Sequence, residues 1–209
     1  MNQQIRMRHG RLAGRKALVV TGVSDLGHAA ALALAREGAD VAIGYPPGEE
    51  TQARDVAQVL CAQGRSATPL PGALGDEASC ARLVADAVRA LDGLDILVSD
   101  TGAFLRRSTE PPGSSFETDV CAMVWITKAA LAHLGSGSLL VYAVSADSGG
   151  SPATKAATAS FAKGLASQLA GKGIRVDVLA PETPGRFWPP SDADTPLGVL
   201  RPTVESNSA

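Results

Sequence analysis

Aromatic residues are scarce in this sequence: phenylalanine, tryptophan and tyrosine together make up 4% of the 209 residues. The two tyrosines, Tyr45 and Tyr142, are the only phenol groups that could donate a proton. Cysteine is also rare, and Cys61, Cys80 and Cys121 lack the spacing of a metal site. Because their number is odd, we predict small buried cysteines in the reducing cytoplasm rather than disulfides, and no bound metal.

Strong net charge and long apolar runs are absent as well. The formal net charge of −2 gives no electrostatic reason to expect nucleic acid or an anionic membrane as a partner. No apolar run approaches the length of a membrane-spanning helix. Residues 1–13 lack the apolar segment of a signal peptide, so we interpret them as a short polar leader. The three histidines, His9, His28 and His133, have no recognisable pairing with a serine, which gives no support for a nucleophilic triad.

Apolar residues are present at an ordinary level of 45%, on a length that suits one domain with a full core. Short apolar runs predict six strands, at Lys16–Val20, Asp40–Tyr45, within Ser66–Gly72, and at Asp95–Val98, Ser138–Val144 and Ile174–Ala180. Helical patterns separate them, at His28–Glu37, Glu49–Ala62, Glu77–Leu91, Phe116–Leu134 and Ala153–Ala170.

This alternation predicts an α/β fold with a doubly wound parallel sheet, covered by helices on both faces. Right-handed crossovers place the ligand crevice at the carboxyl ends of the strands. Residues 14–181 form the predicted domain. Residues 182–209 are rich in proline and have no periodicity, so they are interpreted as a surface tail.

Four stretches together resemble the short-chain dehydrogenase/reductase family: "VVTGVSDLGHAAALALAREGADVAI", "GLDILV", "ITKAALAHL" and "TKAATASFAKGLASQLAGKGIRVDVLAP". The resemblance covers residues 14–181 and implies a Rossmann-like sheet that binds NAD(P) across its strand ends. The segment "GYPPGEE" is similar to NADP-dependent members, whose second strand ends in Tyr-x-Pro. Members of the family use an Asn-Ser-Tyr-Lys set and add a seventh strand. That last strand is predicted to be missing here, which leaves the sixth strand at a sheet edge.

The cofactor motifs of the family are altered in this sequence. The pattern TGxxxGxG is reduced to Gly22 and Gly27, with the acidic Asp25 between them. We interpret these glycines as remnants of a cofactor loop; alternatively, they only permit a strand-to-helix turn. Ala73 replaces an aspartate that contacts adenine in the family, and Asp100 places a carboxylate near the expected pyrophosphate. Dinucleotide binding is therefore predicted to be impaired or lost.

The catalytic set implied by the resemblance is also changed. The family asparagine corresponds to Asp119, and the family serine to Ser145 or, one residue earlier, Val144. The lysine is present as Lys155, but Ser151 stands four residues before it, where the family has tyrosine. We interpret this as loss of the loop that carried the tyrosine.

These departures predict a non-redox enzyme without a cofactor, which promotes cyclisation, dehydration or isomerisation of a small polyketide-like molecule. One alternative is an NADP-dependent oxidoreductase with a rearranged active site; another is a non-catalytic ligand-binding or partner subunit. A homodimer through the two long helices stays open. The predicted catalytic residues are Asp100, Asp119, Ser145 and Lys155, with Asp25, His28 and Tyr142 as additional candidates.

Overall fold

A computed structural model of the protein describes residues 10–20, 22–62, 64–100, 112–144 and 152–179. The strands of these residues are β1 Lys16–Val20, β2 Asp40–Tyr45, β3 Ala67–Pro71, β4 Ile96–Asp100, β5 Leu139–Ala143 and β6 Arg175–Leu179. The helices are α1 Asp25–Arg36, α2 Glu50–Cys61, α3 Glu77–Leu91, α4 Pro112–Leu131 and α5 Pro152–Leu169, and a 3₁₀ turn follows at Ala170–Lys172.

The six strands form one parallel sheet in the order β3-β2-β1-β4-β5-β6, which confirms the predicted fold class. Side chains alternate between the two faces along each strand. Leu18 and Leu140 pack on one face with residues of α3, α4 and α5, while Val19 and Val141 pack on the other with residues of α1 and α2. Both faces of the central strands are buried, which explains why those strands read as continuous apolar runs.

Two element boundaries differ from the predicted ones and affect the site. Helix α1 begins at Asp25, three residues earlier than expected, because the side chain of Ser24 caps its first turn. Strand β4 ends at Asp100 rather than at Val98, because Asp100 pairs with Ala143 of β5. Asp100 therefore belongs to the sheet itself and not to the loop after it.

The packed part of the domain includes residues within the predicted polar leader. Leu12 is buried, and its backbone N–H donates to the carbonyl oxygen of Glu37 at 2.8 Å. The Arg11 guanidinium pairs with the Glu37 carboxylate at 3.0 Å and holds the pKa of that carboxyl below its usual range. Residues 1–9 and the predicted tail lie outside the described residues.

The cysteine prediction holds only in part. Cys80 is buried, and burial raises the pKa of its thiol to about 11. Cys61 is exposed instead, at the end of α2, and Cys121 is half-buried. Within the described residues there is no cluster of three or more side chains that could hold a metal ion. None of the described helices combines the length and apolar character needed to cross a membrane.

Candidate active site

The carboxyl ends of β1 and β4 lie side by side, since Val20 pairs with Ser99 in the register of the sheet. After β1 the chain enters α1 on one face, and the next described helix after β4, α4, packs on the other face. Ligands bind at this kind of switch point in open α/β sheets. The candidate site therefore lies at the end of β4 and the start of α1.

Ser24 and Asp100 connect those two elements. The Ser24 hydroxyl donates to Oδ2 of Asp100 at 2.7 Å and accepts from the Gly27 N–H at 3.0 Å. Both side chains are buried. Asp100 is thus held at the positive N-terminal end of α1, which stabilises its carboxylate. Sequence reasoning missed Ser24, although a serine directly before a helical pattern is a typical N-cap signal.

Asp119 lies on α4 and is only 2% exposed, so it does not belong to a solvated helix face. Its Oδ2 atom accepts no hydrogen bond from the part of the chain that the structure describes. Burial, together with the negative charge of Asp100, raises the pKa of the Asp119 carboxyl to about 7. Near neutral pH this side chain can therefore exist with or without its proton.

The other predicted site residues have separate environments. Lys155 is half-buried in the first turn of α5. Helix α5 connects β5 to the parallel strand β6, so it starts at the carboxyl end of the sheet, as α1 does. Asp25 is exposed in the first turn of α1, and His28 is half-buried one turn later. Ser145 lies outside the described residues. The negative charge of Asp100 acts on the Asp119 carboxyl.

Tyr142 is not part of the crevice, contrary to its place among the additional candidates. Its hydroxyl forms a 2.7 Å hydrogen bond with Oγ1 of Thr127, and its ring packs edge-on against Phe161 at 5.7 Å. Burial raises the pKa of the phenol, and the hydrogen bond with Thr127 offsets part of that effect. Its position in β5 directs the side chain into the core under α4 and α5.

We expect Ser24→Ala to lower the free energy of unfolding by about 2–3 kcal/mol, because the helix loses its cap and buried Asp100 loses a donor. Urea unfolding at neutral pH measures this change. Asp76→Ala is the matched control: Asp76 caps α3 through the Ser79 N–H at 2.7 Å, and its loss is expected to cost about 1 kcal/mol. Equal losses in the two variants would contradict a role for the Ser24–Asp100 bond.

The start of α1 offers backbone N–H donors to an anion. Gly22 donates to the Gly44 carbonyl at 3.0 Å, and a Cβ on Gly22 would lie 2.7 Å from Cγ2 of Ile43. This glycine therefore lets the β1–α1 turn lie close against the sheet. In any helix the first amides have no acceptor within the helix, which leaves the N–H groups of Asp25 and Leu26 for an anion at this end.

A family model and the named relatives of this chain agree with one another. A family model described as short chain dehydrogenase matches residues 15–184. Uncharacterized oxidoreductase YhxD of Bacillus subtilis is 42% identical over 195 residues, which cover 87% of this chain and 64% of that protein. NADPH-dependent aldehyde reductase 1, chloroplastic, of Arabidopsis thaliana is 34% identical over 198 residues, which cover 86% of this chain and 68% of that protein.

A solved structure shows the same likeness. The short chain dehydrogenase of Burkholderia cenocepacia J2315, crystallised in complex with NADP, is 32% identical with a TM-score of 0.71. The match covers 82% of this chain and 75% of that one. This chain spans 64% of the length of the Bacillus relative.

The prediction of a non-redox enzyme is wrong. It depended on altered loop motifs, whereas the relatives are named as oxidoreductases and a similar structure holds NADP. The expectation that no cofactor binds loses its support for the same reason. Three findings indicate the same family: the family match over residues 15–184, the relatives above 30% identity and the order of the six strands. This chain belongs to the short-chain dehydrogenase family.

Proposed function

We propose that this protein is an NADP(H)-dependent oxidoreductase with a rearranged active site, which interconverts a small carbonyl compound, such as an aldehyde, and its alcohol. The likeness to relatives whose names and structures include NADP(H) supports the proposal above all. The sequence lacks a tyrosine four residues before Lys155, where Ser151 stands, so the proton must come from another group.

The cofactor would be held by groups that the fold positions at the end of β1. The N–H groups of Asp25 and Leu26 would bind its phosphates, with the positive end of α1 directed at them. Lys155, in the first turn of α5, would bind a ribose hydroxyl. When bound, NADP(H) supplies or accepts the hydride.

Asp119 is the proposed proton donor in place of the tyrosine. Its carboxyl is buried within the influence of the Asp100 charge at the end of β4, and its pKa of about 7 keeps a large protonated fraction at neutral pH. Asp100 acts through its charge, which holds the proton on Asp119, and Ser24 fixes the position of Asp100. A proton donor with a pKa near the working pH is efficient in both directions of the reaction.

Titration with NADPH and NADH, followed by thermal shift, tests the proposal. We expect NADPH at one hundred times its Kd to stabilise the fold by about 2.7 kcal/mol. Lys155→Ala is expected to weaken binding about tenfold, since one charge-assisted hydrogen bond contributes about 1.5 kcal/mol or more. Lys163→Ala, exposed on the same helix, is the control and should bind as the wild type does.

Absence of any shift with either nucleotide at millimolar concentration would refute the proposal. Binding without NADPH oxidation across a panel of aldehydes and ketones would restrict it to cofactor binding.

The homodimer through the long helices, now α4 and α5, stays a prediction. Phe116 and Val124, which are 39% and 38% exposed, provide apolar surface on α4 for such a contact.

A further inference from the structure

Strands β3 and β6 are the two outer strands of the described sheet. Backbone N–H and C=O groups alternate between the two sides of a strand, so every second residue of an outer strand directs both groups away from the sheet. The Val41 N–H of β2 donates to the carbonyl oxygen of Ser66 at 2.9 Å, which fixes this alternation for β3. The outward residues of β3 are therefore Ala67, Pro69 and Pro71. Its two prolines remove N–H donors from this edge and block the pairing of another strand.

Strand β6, in contrast, contains no proline. The Arg175 N–H donates to the carbonyl oxygen of Ser138 at 2.9 Å, so the backbone groups of Arg175 and Asp177 face β5. Val176 and Val178 face outward, and each carries an N–H donor and a C=O acceptor. Within the described part of the chain these groups have no hydrogen-bond partner. The edge of β6 is therefore able to pair with a further strand.

We propose that a second copy of this chain pairs with the edge of β6, so that two β6 strands run antiparallel about a two-fold axis at Val176. This surface is distinct from that of the long helices α4 and α5. In this register the two Val176 residues exchange their N–H···O=C bonds, and the Val178 N–H of each copy donates to the Ile174 carbonyl of the other. Each copy contributes the same edge, as a two-fold contact requires, and the two sheets become one.

Charge selects both this register and the second copy as the partner. The Arg175 and Asp177 side chains lie on one face of β6 and form an ion pair of 2.6 Å. With Val176 on the axis, Arg175 of each copy lies directly opposite Asp177 of the other, in the pairs where side chains approach most closely. Registers centred on Arg175 or Asp177 would place like charges opposite each other, which is destabilising. The sequence Arg-Val-Asp is thus its own complement in antiparallel pairing.

Mixing two charge variants of the full chain tests this proposal, with a result that loss of the ion pair within one chain cannot produce. Arg175→Asp places carboxylates opposite each other across the axis, and Asp177→Arg places guanidinium groups opposite each other. In sedimentation equilibrium we expect each variant alone to have half the molar mass of the wild type at the same concentration. An equimolar mixture of the two should regain the wild-type molar mass, because every carboxylate then lies opposite a guanidinium.

Val176→Pro removes the central N–H donor, as prolines do at the other edge, and should also halve the molar mass. Ala67→Pro, at the edge of β3, is the matched control and should leave the molar mass unchanged. Circular dichroism checks the fold of each variant, and the proline pair decides if a charge variant does not fold. The proposal is overturned if Val176→Pro or either charge variant alone keeps the wild-type molar mass, or if the mixture stays at half of it.

Discussion

Replacing Asp119 with asparagine is expected to slow carbonyl reduction by about 10²–10⁴-fold below pH 7, the contribution typical of a positioned proton donor. The amide has nearly the shape of the carboxyl, so the loss reflects the missing acidic proton rather than altered packing. Initial rates of NADPH oxidation at saturating substrate measure the change. The decrease should appear in kcat, while the Kd for NADPH stays close to that of the wild type.

The pH dependence of the wild-type rate also tests the role of Asp119 as proton donor. Reduction requires protonated Asp119, so its rate should fall as pH rises through about 7, whereas alcohol oxidation should become faster over that range. Asp100→Asn removes the charge that helps to raise the pKa of Asp119, and should move the midpoint to lower pH. Asp55→Asn, an exposed aspartate of α2, is the control for charge alone. An Asp119→Asn variant with full activity would rule out this proton donor.

The stability of the fold should decrease between about pH 4 and pH 7 because of the same carboxyl. Asp119 has an ordinary pKa of 3.8 when unfolded and about 7 when folded, so the folded chain binds its proton more tightly. Below pH 4 the proton is bound in both states and the stabilisation is complete. As pH rises to 7 the unfolded chain ionises first, which favours unfolding by up to about 4 kcal/mol.

Asp119→Asn should remove this dependence. Asparagine is neutral in both states, so the variant is expected to match the wild type near pH 4 and to exceed it by up to about 4 kcal/mol at pH 8. Urea unfolding across this range measures the difference between the two proteins. Carboxyls with lowered pKa values, such as Glu37, act in the opposite direction but equally in both proteins. Parallel stability curves for wild type and variant would show that Asp119 is not buried with a raised pKa.

Most of the fold was predictable because its signals are local. The pattern of apolar residues located β1 at Lys16–Val20, β2 at Asp40–Tyr45 and α3 at Glu77–Leu91 with the boundaries that the structure has. The later strands were located within one or two residues. The doubly wound parallel arrangement followed from the general handedness and connection rules of alternating α/β chains.

The functional prediction failed where it gave missing motifs more weight than the rest of the chain. Altered residues such as Asp100 and Ser151 pointed away from redox chemistry, yet relatives with 34–42% identity are named as oxidoreductases. The sequence did identify Asp119 as a candidate, since it stands where the family has an asparagine, and Asp100, since it lies near the expected pyrophosphate. The sequence did not specify whether those carboxyls are solvated or buried.

The sequence by itself determined the layered α/β architecture, because each strand and helix is specified by neighbouring residues along the chain. The tertiary structure alone decided the protonation of Asp119, since a pKa depends on burial and on a charge brought from β4. It also decided that Tyr142 belongs to the core and that Ser24 holds Asp100 at 2.7 Å. These contacts join residues up to 76 positions apart, which no local pattern can specify.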